Sequence, residues 1–319
     1  MLTIQAVFHT LRARLGAALA PTLLAATLAG AAHAGTPATP QPDYREWSAL
    51  LRRYVVVVAK KDAPYDTRFD YEQLYVDENI FGHGVSARLS AIRAALLAVP
   101  PGQMNARDYA AWTLNLYDFL VIERATLKLI VPNRKFLRFK SVDEMNFGVG
   151  HFFDAPAVNL GGRDYSIAEF ERRFVYGDTT SEMIQPRQKP GDPRWALALC
   201  RGMIGGPPVL PWAFSGDSLD AQLDRAARIS LALPRFLRAD AATNSLQVSD
   251  YFAASRAELG GDLSGIRPLV ARLGPAAARR IARDPKCSMA PATMPVNRLL
   301  DQYERPKALA PGADGKTKS

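Results

Sequence analysis

A long apolar segment from Ala106 to Ile130 is the first constraint on the fold of this chain. It contains the run WTLNLYDFLVIERA, and Asn105 stands where a side chain can cap the first turn of a helix. A helix that is apolar on every side must be covered by other elements. The sequence therefore predicts a long helix at the centre of the core.

Helical patterns also occur on both sides of this segment. The residues from Val85 to Val99 predict an amphipathic helix that ends before Pro100. Between Tyr44 and Lys61, four consecutive valines favour a strand locally, whereas the flanking apolar spacing favours a helix. Further helices are predicted for IAEFERRFV, with Ser166 and Glu169 as a capping box, for SLDAQLDRAARISLAL, for Asp250 to Leu259, and for Ile266 to Ala282 with a break at Gly274-Pro275.

The strand signals are short and isolated. Ala157 to Ile167 reads as strand, Gly-Gly turn and strand, which predicts a tight hairpin. Arg194 to Leu199 and the run NSLQVS are further strand candidates. Because helices and strands do not alternate as they do in parallel-sheet proteins, the pattern predicts an α+β fold. We expect a helix-rich single domain with a small, mainly antiparallel sheet.

The two ends of the chain differ in composition from its centre. Residues 1–34 predict a secretory signal peptide, because two arginines precede an apolar run and Ala32 to Ala34 offers small residues for cleavage before Gly35. An uncleaved membrane anchor is the alternative. Residues 35–43 predict a flexible lead, 44–304 one folded domain and 305–319 a disordered tail. We therefore expect a periplasmic or secreted protein without a membrane span after cleavage.

The charge distribution limits the classes of partner. The formal net charge is +9, and basic pairs are spread along the chain in the manner of an ordinary solvated surface. The densest patch, NRKFLRFK from Asn133 to Lys140, is a candidate for contact with an anionic polymer of the cell envelope. An exported protein has little occasion to meet nucleic acid, so we expect no nucleic-acid partner. The identity of any other partner stays open.

Reactive side chains are scarce. Cys200 and Cys287 are the two cysteines, and the sequence leaves open a disulfide, two buried thiols or one reactive thiol. Beyond the signal peptide the histidines are His83 and His151, and neither has a second ligand at metal spacing. No phosphate-binding Gly loop and no nucleophile-elbow motif is present. The sequence therefore predicts no metal and no cofactor.

Four segments follow one another in a characteristic order and spacing. They are WTLNLYDFLVI, NLGGRDYSIAEFERRFV, RWALAL with the following GGPP, and SLDAQLDRAARISL. Together they resemble the bacterial branch of the domain of unknown function 547 family. The later VSDYFAASRAELGG and MPVNRLLDQYE resemble its C-terminal part, so the resemblance covers the chain from about Trp47 to Glu304.

The resemblance implies a polar site in which several reactive groups are substituted in this chain. Members commonly carry a Trp-Ile-Asn-x-Tyr-Asn helix, of which Asn115 and Tyr117 are retained. The Ile-Glu-His that follows the hairpin in the family corresponds to Phe170-Glu171-Arg172. Aligned without gaps, the usual histidine of the next strand falls on Ala196 and the usual cysteine of the next turn on Gly206.

Loss of a nucleophile or base costs orders of magnitude in rate, so we expect a non-catalytic binding or scaffolding module with a degenerate site. The alternative is a hydrolase or acyl-transferring thiol enzyme that uses Cys200, although the adjacent Arg201 cannot accept the proton of the thiol. A third candidate is a structural envelope protein that uses NRKFLRFK. The predicted binding residues are Asn115, Tyr117, Glu171, Arg172 and Arg201, and the candidate catalytic residues are Cys200, Glu171 and Asn115.

Overall fold

The structure of the protein is a computed structural model. The described residues are 40–58, 61, 63–80, 86–128, 140–146, 151–177, 192–249, 251–252, 265–292 and 297–303. The predicted signal peptide, most of the NRKFLRFK patch, His83 and the predicted tail lie outside them. So does most of the helix predicted from Asp250 to Leu259.

Helices and short strands both occur, which confirms the predicted α+β class. The helices are α1 (Arg45–Tyr54), α2 (Tyr71–Asp77), α3 (Ala87–Leu97), α4 (Ala106–Lys128), α5 (Ile167–Phe170), α6 (Leu219–Leu231), α7 (Ile266–Leu273) and α8 (Ala276–Arg283). The strands are β1 (Val55–Val57), β2 (Thr67–Phe69), β3 (Pro156–Leu160), β4 (Arg163–Ser166), β5 (Leu237–Asp240), β6 (Ser245–Ser249) and β7 (Ser288–Ala292).

Within the described residues the strands form three separate small sheets, where the sequence predicts one. Strands β1 and β2 pair antiparallel, and so do β3 and β4. In the third sheet β6 pairs antiparallel with β5 and parallel with β7. Strands β5 and β7 were not predicted, because each contains polar or small residues without a clear alternation.

Helix α4 is the centre of the larger hydrophobic core, as predicted. Asn105 Oδ1 accepts hydrogen bonds from the backbone N–H groups of Arg107 and Asp108 at 2.9 and 3.0 Å, which confirms the predicted cap. Side chains on all faces of α4 are buried from Asp108 to Glu123. Trp112 Nε1 donates to the Leu96 carbonyl at 2.8 Å and so ties α4 to α3.

A second hydrophobic cluster forms around α6, α7, α8 and β6. Its large members include Leu231, Phe236, Val248 and Val270. The predicted break at Gly274-Pro275 is confirmed, because α7 ends at Leu273 and α8 begins at Ala276. Within the described residues, no helix has both the length and the hydrophobicity needed to cross a bilayer.

The helix and the strand that the residues after Tyr44 favour are both present, one after the other. Helix α1 ends at Tyr54, and the first three of the four valines form β1. The pairing of β1 with β2 satisfies the backbone groups of the valines. Tertiary pairing therefore ends the helix earlier than the apolar spacing indicates.

The predicted hairpin and its following cap are confirmed. Gly161 and Gly162 connect β3 to β4 with φ of 61° and 83°, a conformation that glycine adopts without strain. The Glu169 N–H donates to Ser166 Oγ at 3.1 Å, and the Ser166 N–H donates to Glu169 Oε2 at 3.0 Å, which completes the capping box. After one α-helical turn the segment continues as a π-helix from Glu171 to Val175.

The strand predicted from Arg194 to Leu199 is wrong. Residues Trp195–Leu197 form a 3-10 turn, in which the Leu197 N–H donates to the Arg194 carbonyl at 3.1 Å. The segment is apolar because it is buried where the two hydrophobic clusters meet, and its side chains belong to both. Local backbone bonds satisfy its polar groups without a partner strand.

Residues 297–303 run as an extended strap against three earlier parts of the chain, and we call them the C-terminal strap. The strap forms bridges at Ser141, at Met203 and at Phe69. The Phe69 N–H donates to the Asp301 carbonyl at 2.9 Å, and the Asp301 N–H donates to the Gly202 carbonyl at 3.2 Å. The strap thereby joins β2 to the turn that follows Cys200.

Candidate functional site

Three of the residues predicted to bind meet at one place. Tyr117 lies on α4, Glu171 begins the π-helical segment, and Arg201 follows the 3-10 turn. The Tyr117 hydroxyl donates to Glu171 Oε2 at 3.2 Å. Arg201 Nη2 donates to Glu171 Oε1, which forms an ion pair between the two side chains.

A fourth residue completes this group, which we call the Arg201 cluster: Tyr117, Glu171, Arg201 and Tyr251. Arg201 Nε donates to the Tyr251 hydroxyl at 3.2 Å. That hydroxyl in turn donates to the Ala196 carbonyl at 2.7 Å. Sequence reasoning missed Tyr251, because nothing in the run VSDYF marks its tyrosine as different from a core aromatic residue.

The Arg201 cluster is largely buried but reaches the surface through its cation. Tyr117 is fully buried, whereas the side chains of Glu171 and Arg201 are 12% and 22% exposed. Burial lowers the pKa of Arg201, but the neighbouring Tyr251 and Glu171 hold that pKa well above its ordinary value. Burial, followed by the Glu171 carboxyl, raises the pKa of Tyr117 well above its ordinary value. Tyr117 therefore stays a hydrogen-bond donor and Arg201 stays a cation.

Two of the positions that the resemblance singled out contact members of the Arg201 cluster. The Ala196 carbonyl is bonded to Tyr251 as described above, and a Cβ atom built on Gly206 would lie 3.3 Å from Arg201 Cβ. The third position, Arg172, is exposed on the π-helical segment, next to the buried Glu171. The Ala196 backbone thus contacts Tyr251, and the backbone at Gly206 lies close to the Cβ atom of Arg201.

Asn115 lies apart from the Arg201 cluster. Its Nδ2 donates to the Phe214 carbonyl at 2.8 Å, and its Oδ1 accepts from the Phe214 N–H at 2.8 Å. Asn115 and Tyr117 are two positions apart on α4, so their side chains leave the helix on nearly opposite sides. The Asn115 amide therefore holds the segment at Phe214 against the central helix.

Cys200 is a buried thiol. Both cysteines are free, and Cys200 is fully buried while Cys287 is half-buried. Burial, and then the neighbouring Asp301 and Asp118 carboxyls, raise the pKa of the Cys200 thiol well above its ordinary value. His151, the one histidine among the residues that the structure describes, is exposed. These surroundings oppose formation of the thiolate that nucleophilic chemistry needs.

Two acidic side chains are buried beside Cys200. Asp118 Oδ1 accepts from the Cys200 backbone N–H at 2.7 Å, and Asp301 Oδ1 accepts from the Tyr71 hydroxyl at 2.8 Å. Burial and the Asp301 carboxyl raise the pKa of Asp118 to about 8. Burial raises the pKa of Asp301 to about 6 against the opposing bond from Tyr71. The available sequence signal was an acidic residue inside the apolar run LYDFLVI.

No arrangement for a metal appears among the described residues, since no group of three or more His, Cys, Asp or Glu side chains converges there. The Arg201 cluster offers a guanidinium group instead, since the hydroxyl hydrogens of Tyr117 and Tyr251 are already donated to Glu171 and to the Ala196 carbonyl. A guanidinium group binds acceptor oxygens of a ligand.

Comparison with known proteins supports the resemblance over the middle of the chain. Residues 101–229 match the model of the family described as "Protein of unknown function, DUF547", which supports membership of that family. The matched residues include α4, the β3–β4 hairpin and three members of the Arg201 cluster, whereas Tyr251 and the C-terminal strap lie beyond the match. No curated protein and no solved structure matches the chain.

Proposed function

We propose that this chain is an exported protein that binds a ligand at the Arg201 cluster and catalyses no reaction there. One observation carries the binding part of the proposal. Arg201 uses Nε and Nη2 within the cluster, its side chain is 22% exposed, and no described residue accepts a hydrogen bond from Nη1. A partly exposed guanidinium edge with a free donor suits a ligand that carries a carboxylate, phosphate or carbonyl oxygen.

The non-catalytic part of the proposal is supported by the state of the reactive groups. Both carboxylate oxygens of Glu171 already accept hydrogen bonds, one from Tyr117 and one from Arg201. Cys200 is buried and its pKa is raised. The positions at which the resemblance implies histidine and cysteine carry Ala196, Gly206 and Arg172. The cluster thus retains groups that hold a ligand without a nucleophile or a base.

Ligand-induced stabilisation tests the binding part. We would measure the thermal unfolding midpoint of the full-length protein with succinate, citrate and inorganic phosphate as probes. A ligand that binds only the folded state raises the midpoint as its concentration rises. We expect at least one of these anions to stabilise the wild-type protein and to lose that effect in Arg201→Gln, each compared with its own ligand-free midpoint. The exposed Arg52→Gln is the matched control and should keep the effect.

An activity assay tests the non-catalytic part. We expect the wild-type protein to hydrolyse nitrophenyl ester and thioester probes no faster than Cys200→Ala or Glu171→Ala. Robust turnover that disappears in Glu171→Ala or Asn115→Ala would overturn the proposal. Loss of turnover in Cys200→Ala alone would instead favour the thiol enzyme.

Export rests on the composition of residues 1–34, and it has its own test. Expression in a bacterial host followed by fractionation should place the protein in the periplasm or the medium. Intact mass should correspond to a chain that begins at Gly35. Retention of residues 1–34 in the membrane fraction would favour the uncleaved anchor.

A further inference from the structure

Positive charge is concentrated in one short part of the chain. Residues 265–292 contain six basic residues and one acidic residue, a net charge of +5, while the whole chain carries +9. This stretch comprises α7, α8 and β7. More than half of the net charge therefore lies on 28 residues. Basic pairs also occur along the rest of the chain, so this concentration is not evident from the pairs alone.

Helix α8 presents most of this charge to solvent. Ala278, Ile281 and Ala282 are buried against the second hydrophobic cluster. Arg280 and Arg283 are exposed and Arg279 is half-buried. Because residues three and four apart on a helix are neighbours, these three arginines share the face opposite the buried stripe.

The arginines of α8 are not neutralised by the described residues. Elsewhere, arginines are commonly paired, as Arg272 is with Asp224 at 3.1 Å. No ion pair within the described residues involves Arg279, Arg280, Arg283 or the nearby exposed Lys286. The one acidic residue of the stretch is occupied, because Asp284 Oδ2 accepts from Asn244 at 2.9 Å and Oδ1 from the Lys286 backbone N–H at 2.8 Å.

This arrangement has a cost that a purely structural helix would avoid. Like charges four residues apart, as at Arg279 and Arg283, destabilise a helix by a few tenths of a kcal/mol. The helix dipole favours cations in the last turn, but its effect is confined to that turn. Arg280 and Arg283 lie in that last turn, but Arg279 lies at the fourth position of the eight-residue helix and Lys286 lies beyond its end.

We propose that Arg279, Arg280, Arg283 and Lys286, the α8 basic face, bind a linear polymer that carries phosphate groups. Arg279 and Arg283 are separated by about 6 Å along the helix axis, so successive phosphates of one strand can meet successive cations. Guanidinium groups bind phosphate through paired donors, and a tetrahedral phosphate can bridge Arg280 and Arg283, which are neighbours on the helix surface. This surface is separate from the Arg201 cluster, so the inference does not depend on the proposed function.

A polymer fits this face better than a membrane surface. Helices that lie on membranes combine basic residues with large apolar side chains that enter the bilayer. The exposed large hydrophobic residues of the described chain are Val57, Val76, Leu127 and Leu299, and none of them lies on α8. Exposed neighbours of the basic face include the small Ala276 and Ala277.

The test measures binding of fluorescently labelled inorganic polyphosphate by anisotropy with the full-length protein. Each basic residue near a polyanionic surface contributes roughly a factor of five in affinity, so R279Q/R280Q/R283Q should weaken binding by about 100-fold. R279K/R280K/R283K keeps the charge but loses the paired donors, so its affinity should lie between those of wild type and the glutamine variant. R45Q/R52Q/R53Q removes the same charge from exposed positions of α1, and it should change affinity by less than about threefold.

Several results would overturn the inference. Equal binding by wild-type and R279Q/R280Q/R283Q would do so, and so would an equal loss in the α1 control, which would indicate a response to net charge alone. Tighter binding of polyglutamate would reject phosphate, and binding of phosphatidylglycerol vesicles without polyphosphate binding would assign the face to a membrane. If the triple variant fails to fold, the double variant R280Q/K286Q, which changes two exposed residues, should still bind about 25-fold more weakly than wild type.

Discussion

The Asp118→Asn variant isolates the effect of one buried carboxyl group on stability. In the unfolded chain this carboxyl ionises near its ordinary pKa of 3.8, whereas in the folded protein burial raises the pKa to about 8. Between these values the unfolded state releases a proton and the folded state keeps it. Rising pH therefore favours unfolding, and the stability present below pH 3.8 is lost progressively up to about pH 8.

The magnitude follows from the width of this window. Each pH unit corresponds to about 1.4 kcal/mol, so at pH 7 the carboxyl lowers the free energy of unfolding by about 4 kcal/mol relative to a group that does not titrate. Asparagine does not titrate, and its Oδ1 can still accept the bond that Asp118 Oδ1 receives from the Cys200 N–H at 2.7 Å. We expect Asp118→Asn to be more stable than wild type by about 2–4 kcal/mol at pH 7 and nearly equal to it at pH 4.

The titration of Asp301 adds a second feature to the pH dependence of the free energy of unfolding. Its pKa is raised to about 6, so it also lowers stability as pH rises, but only up to that value. Wild-type stability should fall most steeply between pH 4 and 6 and less steeply between pH 6 and 8. In Asp118→Asn the fall between pH 4 and 6 should be about half as steep, because only Asp301 still contributes, and the later fall should disappear.

Urea unfolding at half-unit pH intervals from 4 to 8.5 provides the test. Asp118→Ala is the structural control, because it leaves the Cys200 N–H without its acceptor and should be less stable at low pH, where neither protein carries the charge. The exposed Asp154→Asn controls for the loss of a surface charge. An unchanged slope above pH 6 in Asp118→Asn would refute the reasoning, as would lower stability than wild type at pH 8.

Three further predictions follow from the same contacts. Iodoacetamide should modify Cys200 in the native protein at pH 7 far more slowly than the half-buried second cysteine, and equal rates would contradict its burial. Glu171→Gln leaves the Arg201 cation without its carboxylate, so the free energy of unfolding should fall by about 1–3 kcal/mol in urea; no change would show that the ion pair is solvated. Gly202→Ala should cost about 1–2 kcal/mol, because φ is 64° and the new Cβ lies 3.2 Å from a valine of α4, and the cost should exceed that of Gly162→Ala, where nothing lies within 4 Å.

The elements that could be predicted are those whose signals are local. The Asn105 cap, the Gly161-Gly162 turn and the Ser166 capping box each need only a few neighbouring residues, and each is confirmed. The segment from Arg194 to Leu199 shows the limit of this reasoning. Its apolar composition reflects burial, which a 3-10 turn and a strand can both satisfy.

The candidate site divides in the same way. Tyr117, Glu171 and Arg201 could be singled out through the resemblance and their neighbours in sequence, and the structure brings them together. Tyr251 reaches Arg201 from a segment 50 residues away, and no local pattern distinguishes such a tyrosine. Asn115 belongs to the same sequence motif as Tyr117, but its side chain leaves α4 on another side. It therefore makes hydrogen bonds with the backbone of Phe214.

The C-terminal strap has a consequence for the order in which the chain can fold. The bond between Tyr71 and Asp301 joins residues 230 positions apart, and contacts of such separation form late because they close the largest loops. Until residues 297–303 arrive, the edge of β2 at Phe69 lacks the partner that pairs with it in the finished protein. A partly synthesised chain therefore carries an open strand edge, the kind of surface that chaperones shield and that aggregation exploits.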